Sequence, residues 1–195
     1  MKFPITFTFK LLAIASQIYV RDADGNLIGY VKQKLFKLKE HINLFTDESQ
    51  ATVAYSIKAD RMIDFSARYS FLAGGERPVG SIKRQGLRSI WRANYEIFDE
   101  NGSPVMKINE ESGWVKVIDS VVGELPVIGL FTGYFLHPSY AVTDQRGKMI
   151  ARLEKQPAFF EGVFRLELHA ESDEKTEVLL MLGTLTMALL ERSRG

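Results

Sequence analysis

Lysine and arginine are the side chains of this sequence whose grouping could do chemistry. Lys32, Lys34, Lys37 and Lys39 occupy neighbouring positions along predicted strand, and Lys83, Arg84, Arg88 and Arg92 form a second group with Trp91 beside it. If those strands lie side by side, the groups make a basic patch. Such a patch attracts anionic headgroups by about 1 kcal/mol per Lys or Arg near the surface. The same residues also suit an ordinary solvated strand face, where lysine guards a sheet edge against unwanted pairing. A net charge of +1 shows no strong cationic bias, so composition gives no reason to expect nucleic acid or an acidic polymer.

Metal and catalytic signatures are missing. His41, His137 and His169 are far apart and lack the His-x-x-x-His or Glu-x-x-His spacing of a metal site. His137, just before Pro138, reads as a structural histidine. Asp22-x-Asp24-Gly25-Asn26 resembles a calcium loop, yet an EF-hand starting there would need glycine and glutamate where Leu27 and Gln33 stand. The sequence has no cysteine, which removes disulfides, thiolate metal ligands and thiol chemistry, and fits a reducing, cytosolic setting. There is no Gly-x-Ser-x-Gly elbow, phosphate loop or Gly-x-Gly-x-x-Gly. Asp99-Glu100 and Glu110-Glu111 fall beside predicted turns or strand ends, where solvated charge is expected. Folding could still bring two carboxylates together, but nothing in the sequence proposes it. The expectation is a protein without enzymatic activity, cofactor or metal.

The elements that must position the basic groups read as strands. Phe3, Ile5, Phe7 and Phe9 alternate with Pro4, Thr6, Thr8 and Lys10, a period of two. Lys10 also interrupts what would otherwise resemble a secretory signal ending at Ala13-Ile14-Ala15. Ile18–Asp22 and Leu27–Lys32 make a hairpin over Asp24-Gly25-Asn26, residues that accept positive φ. One strand is predicted from Lys34 to Phe45, another over Ala51–Ala59, and a further inward row at Phe65, Ala67, Tyr69 and Phe71. Later strands are predicted at Tyr140–Asp144, Lys148–Glu154 and Gly162–Ala170.

A repeated turn organises the chain. Gly25, Gly102 and Gly147 each follow an aspartate by three residues, at Asp22, Asp99 and Asp144. Each precedes two apolar residues, three and six positions on (Ile28 and Val31, Val105 and Ile108, Ile150 and Leu153), and a looser copy surrounds Gly75. Recurring strand, tight turn and strand indicate an antiparallel all-β body. Two stretches break the pattern. Ser112–Glu124 has the spacing of a short amphipathic helix, and Leu125–Leu136 is a charge-free run with a proline and two glycines. That run suits either packing over a barrel mouth or contact with a membrane or protein partner.

Thr176–Arg192 closes the chain with a segment that carries no charge from Val178 to Leu190 and is apolar on every side. A helix of that kind must be enclosed. Its charge-free part rises ~20 Å against ~30 Å of bilayer hydrocarbon, so protein is the better enclosure. A closed barrel removes sheet edges but must fill its interior, and this helix fills it. The predicted fold is therefore all-β, a closed antiparallel barrel enclosing a hydrophobic C-terminal helix. The 195 residues contain no linker-like stretch, so a single domain is expected.

This architecture, with IYVRDADGNLIGYV, YEIFDENGSPVMKI, SYAVTDQRGKMIARL and the terminal VLLMLGTLTMALL, resembles the tubby-like superfamily. Its LURP-one-related branch is the nearest, and phospholipid scramblases are more distant. The resemblance implies a barrel of about twelve strands, in keeping with closure of a large sheet. It implies a binding module at a membrane surface, since tubby domains bind phosphoinositides at a basic site. No residue here matches that lipid-binding motif position by position, and the long tail of scramblases is absent. The alternative is a protein-interaction scaffold working through Leu125–Leu136. An internal small-molecule ligand is disfavoured, because the helix occupies the space.

Overall fold

The computed structural model describes residues 1–10, 15–34, 41–60, 67–85, 93–111, 138–158 and 161–192. Twelve strands run through them: β1 (Ile5–Lys10), β2 (Ala15–Arg21), β3 (Leu27–Lys34), β4 (His41–Phe45), β5 (Val53–Ala59), β6 (Arg68–Ala73), β7 (Arg77–Arg84), β8 (Asn94–Asp99), β9 (Pro104–Glu111), β10 (Ser139–Asp144), β11 (Met149–Gln156) and β12 (Glu161–Leu168). All pairings are antiparallel; each joins chain neighbours except β1 with β12, which closes the barrel. Helix α1 (Glu174–Arg192) runs inside, with Leu179 through Leu189 buried. The fold is as expected, and Ala67, Tyr69 and Phe71 of the predicted inward row are buried, while Phe65 lies outside the described residues.

Lys34 differs from expectation: it ends β3 opposite Ala15 rather than opening the next strand, which starts at His41. The amphipathic stretch Ser112–Glu124 and the apolar run Leu125–Leu136 lie outside the described residues.

The repeated turn has a common physical cause. Asp22 Oδ1 accepts the backbone N–H groups of Asp24 and Asn26, each at 3.0 Å. Asp99 Oδ1 does the same for Asn101 (2.9 Å) and Ser103 (2.8 Å), and Asp144 Oδ1 for Arg146 and Lys148 (2.8 Å each). The carboxylate stands in for a backbone acceptor, and glycine at φ 81°, 81° and 82° reverses the chain. At the looser copy, Gly74 and Gly75 both have positive φ, and Gly74 N–H bonds to the Ala54 carbonyl instead.

Helix α1 starts at the end of the barrel where these turns cluster. Asp173 Oδ1 accepts from the Thr176 N–H at 2.8 Å and caps it. Glu174 and Glu177 in the first turn and Arg192 in the last match the helix dipole. Thr184 and Thr186, the helix's buried polar residues, donate their hydroxyls to Leu180 O (2.6 Å) and Leu182 O (2.7 Å). The rod does not sit on the barrel axis. Glycines on both sides let it approach β7 and β8. A Cβ on Gly183 would strike Ile97, and one on Gly80 would strike Leu179 and come within 2.5 Å of the Phe98 carbonyl oxygen. Diametrically across, six strands from β7, β1 contributes the fully buried Phe7 and Phe9.

Candidate functional site

The outer face of β4 to β8 carries an unusual arrangement of charge. Strand alternation sends Ile57, Tyr69, Phe71 and Ile82 inward, so Lys58, Arg68, Ser70, Ser81 and Lys83 face out. The register puts Arg68 directly opposite Lys83, Ser70 opposite both Lys58 and Ser81, and Lys58 opposite His41. Like charges facing each other across a ladder are destabilising. Three cations on three consecutive strands are nevertheless held together.

Two of them, Arg68 and Lys58, have a defined seat. The Arg68 guanidinium lies over the Phe98 ring at 4.2 Å from its centroid, and its Nη1 donates to Ser81 Oγ at 3.2 Å. The contact with the ring fixes its plane and leaves further N–H groups for an acceptor. Lys58 Nζ reaches the Gly75 carbonyl at 3.4 Å, across the turn that folds over buried Ser56. Ser56 Oγ in turn donates to Asn43 Oδ1 at 2.7 Å. Glu96 stands across from Lys83 on β8, yet its carboxylate is taken up by Gln85 Nε2 at 2.7 Å. Among the described residues, none of the three cations has an ion pair with a carboxylate. The chemistry on offer is recognition of an oxyanion by a planar fork and two point charges. No group of His, Asp and Glu among the described residues could hold a metal ion.

The structure separates the residues that the sequence grouped. Lys83 is in the patch. Arg84, its neighbour, points into the barrel and is only 8% exposed. It lies 3.8 Å from Glu191 Oε1, with its guanidinium 5.7 Å from the Tyr95 ring centroid. Glu191 also accepts from the Tyr95 hydroxyl at 2.5 Å, which ties the end of α1 to β8. Burial, then the nearby Glu110 and Glu191, push the Tyr140 phenol well above its ordinary pKa. Arg84 is therefore a structural cation beside the negative end of a helix dipole, not a surface one.

Lys32 is exposed on β3, which lies four strands from β7, the strand that carries Lys83 and Arg84. Lys34 ends β3, and Lys37, Lys39, Arg88, Arg92 and Trp91 lie outside the described residues. Lys58 and Arg68 were missed. Alternation already placed Lys58 opposite to Ile57 and Arg68 between Ala67 and Tyr69, but only the register shows that they meet Lys83.

Among the described residues no helix is long and apolar enough to cross a membrane. The family described as LURP-one-related matches residues 27–182. In three dimensions the chain is similar to the crystal structure of a protein from Arabidopsis thaliana, with a TM-score of 0.51 and 14% identity, over 98% of this chain and 92% of that one. At that identity the likeness is one of fold. No curated protein matches the sequence.

Proposed function

This chain belongs to the LURP-one-related family, and from that premise we propose that it is a non-enzymatic module that docks on anionic phospholipid surfaces through Lys58, Arg68 and Lys83. The observation that carries the reading is the direct opposition of Arg68 and Lys83 with no carboxylate between them. A sheet that served only itself would gain from a carboxylate at one of the two positions. A phosphate supplied from outside gives the same gain, and the Arg68 fork suits two of its oxygens. The tubby-like barrel supports the reading, because its rigid outer wall holds the cations in register while its interior is filled.

The test is cosedimentation with vesicles of phosphatidylcholine alone and of phosphatidylcholine doped with a phosphoinositide or phosphatidylserine. Recovery with the anionic vesicles, abolished by the triple substitution Lys58→Ala, Arg68→Ala, Lys83→Ala, is the expected result. Equal recovery with both vesicle types would defeat the proposal.

A further inference from the structure

A second site lies at the mouth of the barrel, where α1 begins. A cleft of about 660 Å³ opens between the first turn of the helix, the start of β7 and the β8–β9 turn. That volume suits a small organic molecule. Its apolar surface comes from Val79, Val178 and the Tyr55 ring, all half-buried.

The charged groups around the cleft divide into two sets. One set is consumed by the protein itself. Lys175 Nζ binds Glu100 Oε1 at 2.6 Å, and Asp173 Oδ1 caps the helix through the Thr176 N–H at 2.8 Å. The other set comprises the Arg77 guanidinium, the Glu174 carboxylate and the Tyr55 hydroxyl, which have no hydrogen bond or ion pair with any described residue. Glu174 and Arg77 act on the same phenol from opposite electrostatic sense. Burial first, then Glu174, raises the Tyr55 pKa, and Arg77 lowers it. A cation and an anion thus flank one half-buried aromatic ring on an apolar floor. The two charges are not paired with each other.

We infer that this cleft binds a small zwitterion with an apolar body, its ammonium on Glu174, its carboxylate on Arg77 and its body against Val79, Val178 and Tyr55. A free apolar amino acid and a short peptide ending in an apolar residue share this chemistry. They differ in how far apart the two charges stand.

Titration calorimetry on the full chain separates these sources. The probes are L-phenylalanine, alanyl-phenylalanine, 3-phenylpropionate and 2-phenylethylamine. One or both zwitterions bind saturably, and each singly charged analogue binds about tenfold more weakly or worse, as loss of one charge-assisted hydrogen bond requires. Arg77→Gln weakens the bound zwitterion about tenfold while leaving 2-phenylethylamine unchanged, and Glu174→Gln weakens it while leaving 3-phenylpropionate unchanged. Both side chains are exposed, and an unchanged circular dichroism melt confirms that each variant folds. Binding by L-phenylalanine alone selects the amino acid, and binding by the dipeptide alone selects the peptide. The inference is overturned if neither zwitterion binds, if all four probes bind alike, or if both folded variants bind as the wild type does.

Discussion

Two walls of one barrel order their charges in opposite ways. On β11 and β12, Arg152 stands opposite Glu167 and Glu154 opposite Arg165, a checkerboard of unlike charge. Arg152 also binds Glu111 at 2.7 Å, and Arg165 Nε binds Glu167 at 2.9 Å. On β6 and β7, Arg68 stands opposite Lys83, with Lys58 on the next strand. Both walls are half-exposed antiparallel sheet, so solvent and strand geometry do not account for the difference. The checkerboard is what a sheet does with charge for its own stability. The cationic wall keeps its acids, Asp60 beside Arg68 and Glu96 across from Lys83, on the outer flanks of the pair and none between the two cations, which supports its use for an anion brought from outside.

The largest effect that could break this comparison is on membrane binding. Lys58→Ala, Arg68→Ala and Lys83→Ala together weaken binding to anionic vesicles roughly a hundredfold, at about 1 kcal/mol per cation. Arg152→Ala with Arg165→Ala is the matched control, and flotation should change it by no more than a few fold. Equal losses in the two variants would erase the distinction between the walls.

Glycines on the two walls give the next effect. Gly80→Ala on β7 forces a Cβ against the Phe98 carbonyl oxygen and Leu179 and destabilises the fold by about 3 kcal/mol. Gly162→Ala on β12 meets only the Phe9 side chain, at an ordinary 3.5 Å or more, and stays within about 0.5 kcal/mol of wild type. Urea unfolding midpoints check both. The smallest effects differ in sign. Arg152→Gln strands Glu111 and costs about 1 kcal/mol. Lys83→Gln relieves its repulsion with Arg68 and raises stability by roughly 0.2–1 kcal/mol. Thermal melts at low and high salt should show both changes shrinking as salt screens them.

The sequence revealed the fold more fully than the candidate site, for a physical reason. A period of two, an aspartate three residues before a glycine and a uniformly apolar helix are local signals, and each reports on its own stretch of chain. They sufficed for the barrel, its hairpins and the enclosed Val178–Leu190 segment. The patch is a property of register. Lys58, Arg68 and Lys83 come from three strands, and a shift of one residue in any pairing would send a cation to the other face. Sequence proximity grouped Lys83 with Arg84, yet alternation sends those two to opposite sides of the sheet. The mouth cleft was equally hidden, because Tyr55, Arg77 and Glu174 are distant in sequence and meet only once α1 is seated.

The off-axis rod has a consequence for synthesis. In chain order the helix follows all twelve strands. A nascent chain that has delivered its last stave still has nothing for Phe7, Phe71 or Ile97 to close upon. The barrel's core is therefore completed only when the last-made segment arrives, and until then its oily rows are open to the misassembly that exposed apolar surface invites.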